Sequence, residues 1–329
     1  MKFKELVIAT RASKLAIHQT NSIIKLLKKE NPEIEFRIEM VTTKGDKDKR
    51  PFFAIEQNGG GGVFEKEVND LLLRYKADFA VHSLKDLHGG FSDKLDIACV
   101  PKREKPHDVF INNINNNRIS QLESGSIIGT SSIRRAIQIK TKYPHITIRS
   151  IRGNIETRIA KSKENRYTGI VLAEAGMKRL GLNRNITQRL NVQSFTPAPG
   201  QGALAIVCRK DDSNITKVLK KIEHKPSRKE IQAERALVGK IGAGCTVPLG
   251  ALATTDRDGD RMSLVTAVYS LDGKRYLKIK EIGSTEFPER LGEKAGDVLI
   301  SKGAMEITNE WVKNGTDTDN DIVKGIITQ

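Results

Sequence analysis

Ala80-Val81-His82-Ser83-Leu84-Lys85-Asp86-Leu87 carries the most unusual pattern in this 329-residue chain, a buried-strand run that passes directly into His, Ser, Lys and Asp. A carboxylate beside basic groups in a cleft can stabilise positive charge growing on a substrate and relay a proton. On a surface, Lys85 and Asp86 would be only an ion pair following a strand. Gly129-Thr130-Ser131-Ser132-Ile133-Arg134-Arg135 lies where a strand gives way to a helix. Its backbone N–H groups, hydroxyls and two guanidiniums suit a carboxylate or phosphate, the alternative being a capped helix with solvated arginines. Ser150-Ile151-Arg152-Gly153-Asn154-Ile155-Glu156-Thr157-Arg158 repeats the arrangement, as do Arg11 and Ser13. Arginines at three strand ends point to a ligand with several carboxylates, bound at the carboxyl edge of an open α/β sheet. Cys245 sits in the glycine-flanked turn Ala243-Gly244-Cys245-Thr246, open to covalent chemistry, whereas Cys99 and Cys208 fall inside apolar strands.

Short apolar runs alternating with helical periods position these residues, which predicts βαβ units and largely parallel sheets. Strands are expected at 4–10, 34–42, 79–81 and 95–100, and helices at 13–29 and 63–75. A second set follows, with strands at 126–129, 146–150 and 169–173 and helices at 132–142 and 156–163. The segments 101–108 and 196–203, rich in proline or glycine, read as crossovers, and the latter leads into a strand at 204–208. Beyond about Lys225, a helix around 231–238 and strands near 264–269 indicate a separate α+β domain. Thr43 to Gly62, with four consecutive glycines, reads as a long loop.

The chain carries 56 Lys and Arg against 40 Asp and Glu, a net charge of +16, which attracts polyanions, anionic membranes or small acidic substrates alike. No groove-reading motif or aromatic platform accompanies the charge, so nucleic acid is not expected as a partner. No apolar run approaches the roughly 20 residues that cross a bilayer, and no secretory leader is evident. Three cysteines without a Cys-x-x-Cys pair argue against a disulfide framework or a zinc site and fit a reducing cytoplasm. No metal is expected.

Together these segments resemble the porphobilinogen deaminase (hydroxymethylbilane synthase) family, from Arg11 to about Ala304. The resemblance rests on Ala9-Thr10-Arg11 with Ser13, Leu15 and Ala16; Val81 to Asp86; Gly129 to Arg135; Arg152-Gly153-Asn154; Leu172-Ala173 with Ala175-Gly176; Pro199 to Ala203; Glu234-Arg235; and Gly244-Cys245. It implies two α/β domains of the periplasmic-binding-protein type joined by two crossovers, plus a C-terminal α+β domain bearing the cofactor cysteine. The implied boundaries are 1–102 with 203–220, then 108–197, then 225–315, with a tail at 316–329.

The resemblance further implies a transferase of tetrapyrrole biosynthesis, a cytoplasmic monomer with a dipyrromethane cofactor bound covalently through Cys245. Four porphobilinogens would be added to that primer, each losing ammonia, before water releases linear hydroxymethylbilane. Asp86 would assist departure of the amine and stabilise the azafulvenium cation. Arg11, Ser13, Lys85, Thr130, Ser131, Ser132, Arg134, Arg135, Arg152, Arg158 and Arg179 would hold cofactor or substrate carboxylates. Gln19, Ser83, Gly153, Ala173, Gln201 and Gly202 would complete the pocket, under a lid edged by Asp46, Gly61 and Phe64. Porphobilinogen would be the substrate partner, with the product handed to the next enzyme of the pathway.

Four departures stand out: Gly61 for a lysine in the lid, His88 for a proline after Asp86, Lys105 and His107 for Asp and Arg in the crossover, and Ala243 for glycine before Gly244. A non-catalytic two-lobed binder of small polycarboxylates is the rival reading, and it would require neither Asp86 nor Cys245.

Overall fold

The structure, a computed structural model, describes residues 3–43, 65–87, 92–164, 167–242, 247–270 and 272–314. The expected site residues Asp46, Gly61, Phe64 and Cys245 lie outside the described residues, as do His88, Ala243 and the tail.

The first lobe opens with β1 (Glu5–Arg11), α1 (Lys14–Glu30) and β2 (Glu35–Val41). Ser13 caps α1, its Oγ accepting from the Ala16 N–H at 3.3 Å, and Asn31-Pro32 stops it. Helix α2 (Lys66–Leu73) ends short of the expected boundary, where Tyr75 turns into the left-handed region at φ 56°. It leads to β3 (Phe79–Ser83) and β4 (Leu95–Cys99).

The second lobe contains β5 (Asp108–Asn112), β6 (Ile127–Gly129), α3 (Ile133–Lys142), β7 (Thr147–Arg149), α4 (Ile155–Lys163), β8 (Gly169–Ala173), α5 (Glu174–Arg179) and β9 (Gln188–Arg189). The chain then returns to the first lobe as β10 (Leu204–Arg209) and α6 (Ser213–Lys220).

The two sheets have the orders β2-β1-β3-β10-β4 and β7-β6-β8-β5-β9. Their continuous apolar strands are explained by burial on both faces. One face of the first sheet packs Ile8, Phe79 and Ile206 against Ile23, Leu27 and Leu219, while the other packs Ala80 and Val207 against Val68 and Leu72.

The sheets are largely parallel with one reversed strand in each, because β10 runs antiparallel to β3 and β4, and β5 runs antiparallel to β8 and β9. Both are the strands that follow a crossover. A chain arriving from the opposite lobe enters at the edge where the lobes meet, beside the last residues of the parallel strands, so Leu204 pairs with Ser83 and Asp108 with Ala173.

The crossovers run side by side. Gly202, at φ 90°, approaches so closely that a Cβ there would lie 2.4 Å from the Glu104 carbonyl oxygen, and its own carbonyl accepts from the Glu104 N–H at 3.2 Å.

The third unit begins with α7 (Lys225–Ile241), much longer than the periodic segment recognised in the sequence and closed by left-handed Gly242. Strands β11 (Leu249–Thr255), β12 (Arg261–Tyr269) and β13 (Tyr276–Ser284) form an antiparallel sheet. Helices α8 (Pro288–Ser301) and α9 (Ala304–Asn314) join α7 over a core that includes Leu237, Leu264, Leu299 and Trp311.

Glu234 of α7 ties this unit to both crossovers. Its fully buried carboxylate accepts from Arg103 Nη1 at 2.6 Å and Nη2 at 3.2 Å, from the Gly200 N–H at 2.6 Å and from the Ala253 N–H at 2.8 Å. Removing one partner of such a pair leaves the other charge desolvated. Glu234→Ala should therefore lower the unfolding free energy by about 3–5 kcal/mol; an unchanged denaturant midpoint would refute this account of the hinge.

Candidate active site

The first wall of the interlobe cleft is made by the ends of β1 and β3. Arg11, Ser13, Gln19, Glu65, His82, Ser83 and Asp86 line one small pocket there. Gln19 holds the end of β3, donating from Nε2 to Ser83 Oγ at 2.8 Å.

Beyond Ser83 the backbone turns through a single 3₁₀ turn, Leu84–Asp86, fixed from the hinge side. The Leu84 N–H donates to the Ala203 carbonyl at 3.0 Å. At Gly200, φ 73°, an added Cβ would stand 2.4 Å from Leu84 Cδ2 and 3.1 Å from the Lys85 nitrogen. The catalytic candidate is thus carried on a turn braced by the returning crossover.

The charge of Asp86 acts on His82, on Lys85 and, across the cleft, on Arg158. Burial lowers the pKa of Lys85, with Asp86 opposing the shift and Arg135 adding to it. Burial likewise brings Arg158 down to about 10, helped by Arg135 and Arg152 and opposed by Asp86. The cleft therefore holds cations that are partly stripped of water, close to one another and to a carboxylate.

In the second wall, Thr130 is buried and its Oγ1 accepts the Ser132 N–H at 3.2 Å, shaping the turn into α3. Ser131 is spent on the fold: Oγ accepts the Ile151 N–H at 3.1 Å and lies 2.8 Å from the Ile151 carbonyl and 2.9 Å from Ser150 Oγ. It pins the β6 and β7 turns together. Gly153 adopts φ 120°, and its carbonyl accepts Arg158 Nε at 2.7 Å. Arg152 and Ala173 are half-buried at the ends of β7 and β8. Lys14 and Glu156 form an ion pair between the lobes at this mouth. Arg179 donates to the Gly202 carbonyl at 2.8 Å and, with burial, is brought down to about 10.

Arg134, Arg135 and Gln201 converge on a carboxylate of the protein itself. That carboxylate is Asp108, which is 1% exposed. Arg134 reaches Asp108 Oδ2 at 2.9 Å and the Thr196 carbonyl at 2.7 Å. Arg135 Nε reaches Asp108 Oδ1 at 3.0 Å, and its Nη2 reaches Gln201 Oε1 at 3.4 Å. The Gln201 amide nitrogen donates to the Pro106 carbonyl at 2.7 Å and to Asp108 Oδ1 at 2.9 Å. These three side chains fasten the hinge, and Arg135 also contributes its charge to the cleft through Lys85 and Arg158.

The residue pattern in the sequence marks neither Asp108 nor Arg103, and Glu234 enters only through the family resemblance. The signal that could have found Asp108 is a lone acid opening the apolar run Val109-Phe110-Ile111. Asn69, which meets His82, gave no such signal.

The family model described as porphobilinogen deaminase, dipyromethane cofactor binding domain, matches residues 6–217, and that described as porphobilinogen deaminase, C-terminal domain, matches residues 228–301. The chain belongs to the porphobilinogen deaminase family. The probable porphobilinogen deaminase of Nitrosopumilus maritimus is 45% identical over 305 residues, covering 93% of this chain and 96% of that protein. The porphobilinogen deaminase of Staphylococcus carnosus is 39% identical over 307 residues, covering 92% and 97%. That of Prochlorococcus marinus strain MED4 is 41% identical over 312 residues, covering 94% and 97%. In this porphobilinogen deaminase family member the first family model ends within α6 and the second begins within α7, so the gap between them spans the passage from the returning lobe to the third unit.

Burial alone would raise the Asp108 carboxyl, yet Arg134, Arg135 and the Gln201 hydrogen bond hold it well below the ordinary carboxylate range. The stability this provides is present above the unfolded value near about 4 and is lost as pH falls toward the depressed folded value. Denaturant unfolding between pH 6 and pH 2.5 should show that loss, and Asp108→Asn should be less stable at pH 6 and less sensitive to acid. Parallel pH curves for the two proteins would contradict the assignment.

Proposed function

We propose that this chain is a hydroxymethylbilane synthase, a transferase that joins four porphobilinogen molecules head to tail with loss of ammonia and releases the linear bilane by hydrolysis. The observation that carries the reading is the placement of Asp86. It stands on a braced turn at the cleft mouth, where its charge meets Lys85 in its own lobe and Arg158 in the other.

The donor set fits a dipyrromethane group. Arg11, Lys85, Arg152 and Arg158 gather at the same edges as the hydroxyls of Ser13 and Ser83, and partly desolvated guanidiniums form strong charge-assisted pairs with carboxylates. Arg11, Ser13, Arg152 and Arg158 would hold acetate and propionate groups, with Thr130, Ser132, Gly153 and Ala173 shaping the second wall. When bound through Cys245, dipyrromethane supplies the nucleophilic ring carbon on which the chain is extended.

The protein's own part is electrostatic and positional. Asp86 holds the aminomethyl nitrogen while its C–N bond breaks and ammonia leaves. The carboxylate then balances the cation on the incoming pyrrole and accepts the proton released from the ring carbon after the C–C bond forms. Arginines that fix the carboxylate-bearing rings bring the reacting carbons together, so binding contributes directly to rate. Among the described residues no helix is long and apolar enough to cross a membrane. The reading includes action as a cytoplasmic monomer that hands its product to the next enzyme.

Two experiments test it. Asp86→Asn should lower bilane production by about 10²–10⁴-fold while leaving thermal unfolding nearly unchanged; near-normal production would reject the role of Asp86. In protein made by cells supplying porphobilinogen, intact mass should reveal two pyrrole units that vanish in Cys245→Ala. An unmodified parent protein would count against the covalent primer.

A further inference from the structure

One buried hydrogen bond in the cleft wall has no part in the scheme above. His82 ends the buried portion of β3 and lines the same pocket as Arg11, Glu65 and Asp86. Its Nε2 lies 3.0 Å from Oδ1 of Asn69 on α2, and both residues are buried, at 7% and 5% exposure. An amide oxygen can only accept, so Nε2 carries the hydrogen and Nδ1 is bare in a neutral ring.

We propose that Asn69 is a positioning residue for the condensation, holding His82 as a neutral, Nε2-protonated imidazole so that the ring adds no further cation to Lys85 and Arg158, whose charges already act on Asp86.

The charged groups around the ring explain why this matters. Arg11 at the end of β1 repels an imidazolium, Asp86 on the 3₁₀ turn attracts one, and Glu65 at the start of α2 lines the same pocket. Burial and Arg11 prevail over Asp86, bringing His82 down to about 4. A charged His82 would add a further desolvated cation to Lys85 and Arg158 around Asp86 and reduce the negative potential left for a cationic pyrrole. A carboxylate in place of Asn69 would stabilise that unwanted cation. The neutral amide completes the hydrogen bond without doing so.

The inference rests on the proposed role of Asp86, and its test separates the two. Nitrogen-15 spectra of the histidines, with His82 assigned by its loss in His82→Gln, should show a neutral Nε2–H ring that does not titrate between pH 5.5 and 8. In Asn69→Asp, a near-isosteric change whose folding is checked by thermal unfolding, His82 should titrate within that window. Porphobilinogen consumption by this variant should fall at least tenfold below the new midpoint and recover above it, with a profile the parent protein lacks. Asn69→Ser, which keeps a neutral acceptor, should keep the parent profile. A His82 that titrates near 6.5 in the parent, carries hydrogen on Nδ1, or stays unmoved in Asn69→Asp would overturn the inference. So would an unaltered pH profile in Asn69→Asp despite a titrating His82. Absence of bilane formation by the parent would instead defeat the functional reading, leaving the spectroscopic result intact.

Discussion

The pairing of Asp108 with Arg134 and Arg135 is the constraint around which the molecule is arranged. A carboxylate at 1% exposure loses several kcal/mol of hydration, which only close charged donors can offset. Those donors come from the first turn of α3, and Gln201 adds a further bond from the returning crossover. One side chain at the start of β5 thereby locates the second lobe's first cleft helix against both chain crossings. Glu234 repeats the device on the other side, binding Arg103, Gly200 and Ala253 and so fixing the third unit to the same hinge.

The chemistry inherits its geometry from that hinge. Gly200 and Ala203 press on or bond to the turn that carries Lys85 and Asp86, so the carboxylate is located by the returning crossover as much as by its own strand. The arginines divide accordingly. Arg134 and Arg135 bind Asp108, while Arg11 and Arg152 stay at strand ends and Arg158 on the first turn of α4, where the lobes face each other. The desolvation that weakens the hold of Lys85 and Arg158 on their protons also strengthens their attraction for a carboxylate ligand.

Much of this was legible locally. Apolar runs with buried-strand length, Ser13 before a helical period and Asn31-Pro32 after it placed most elements of the two lobes within a residue or two, because these signals act between neighbours in the chain. The antiparallel course of β5 and β10 was not legible, since strand direction depends on which edge of the sheet the chain enters. Strand β5 and helices α5, α6, α8 and α9 were not anticipated either.

The sequence alone determined the inventory: a carboxylate after a buried strand, arginines and hydroxyls at strand-to-helix turns, a cysteine in a glycine-flanked turn, and the family they identify. Tertiary structure alone decided the allotment. Arg134 meets Asp108 across 26 residues of chain and Arg103 meets Glu234 across 131, distances over which residue type carries no information about partner. A guanidinium serves whichever desolvated carboxylate the fold brings within reach, so motif membership fixed what Arg134 and Arg135 are, and burial fixed what they hold.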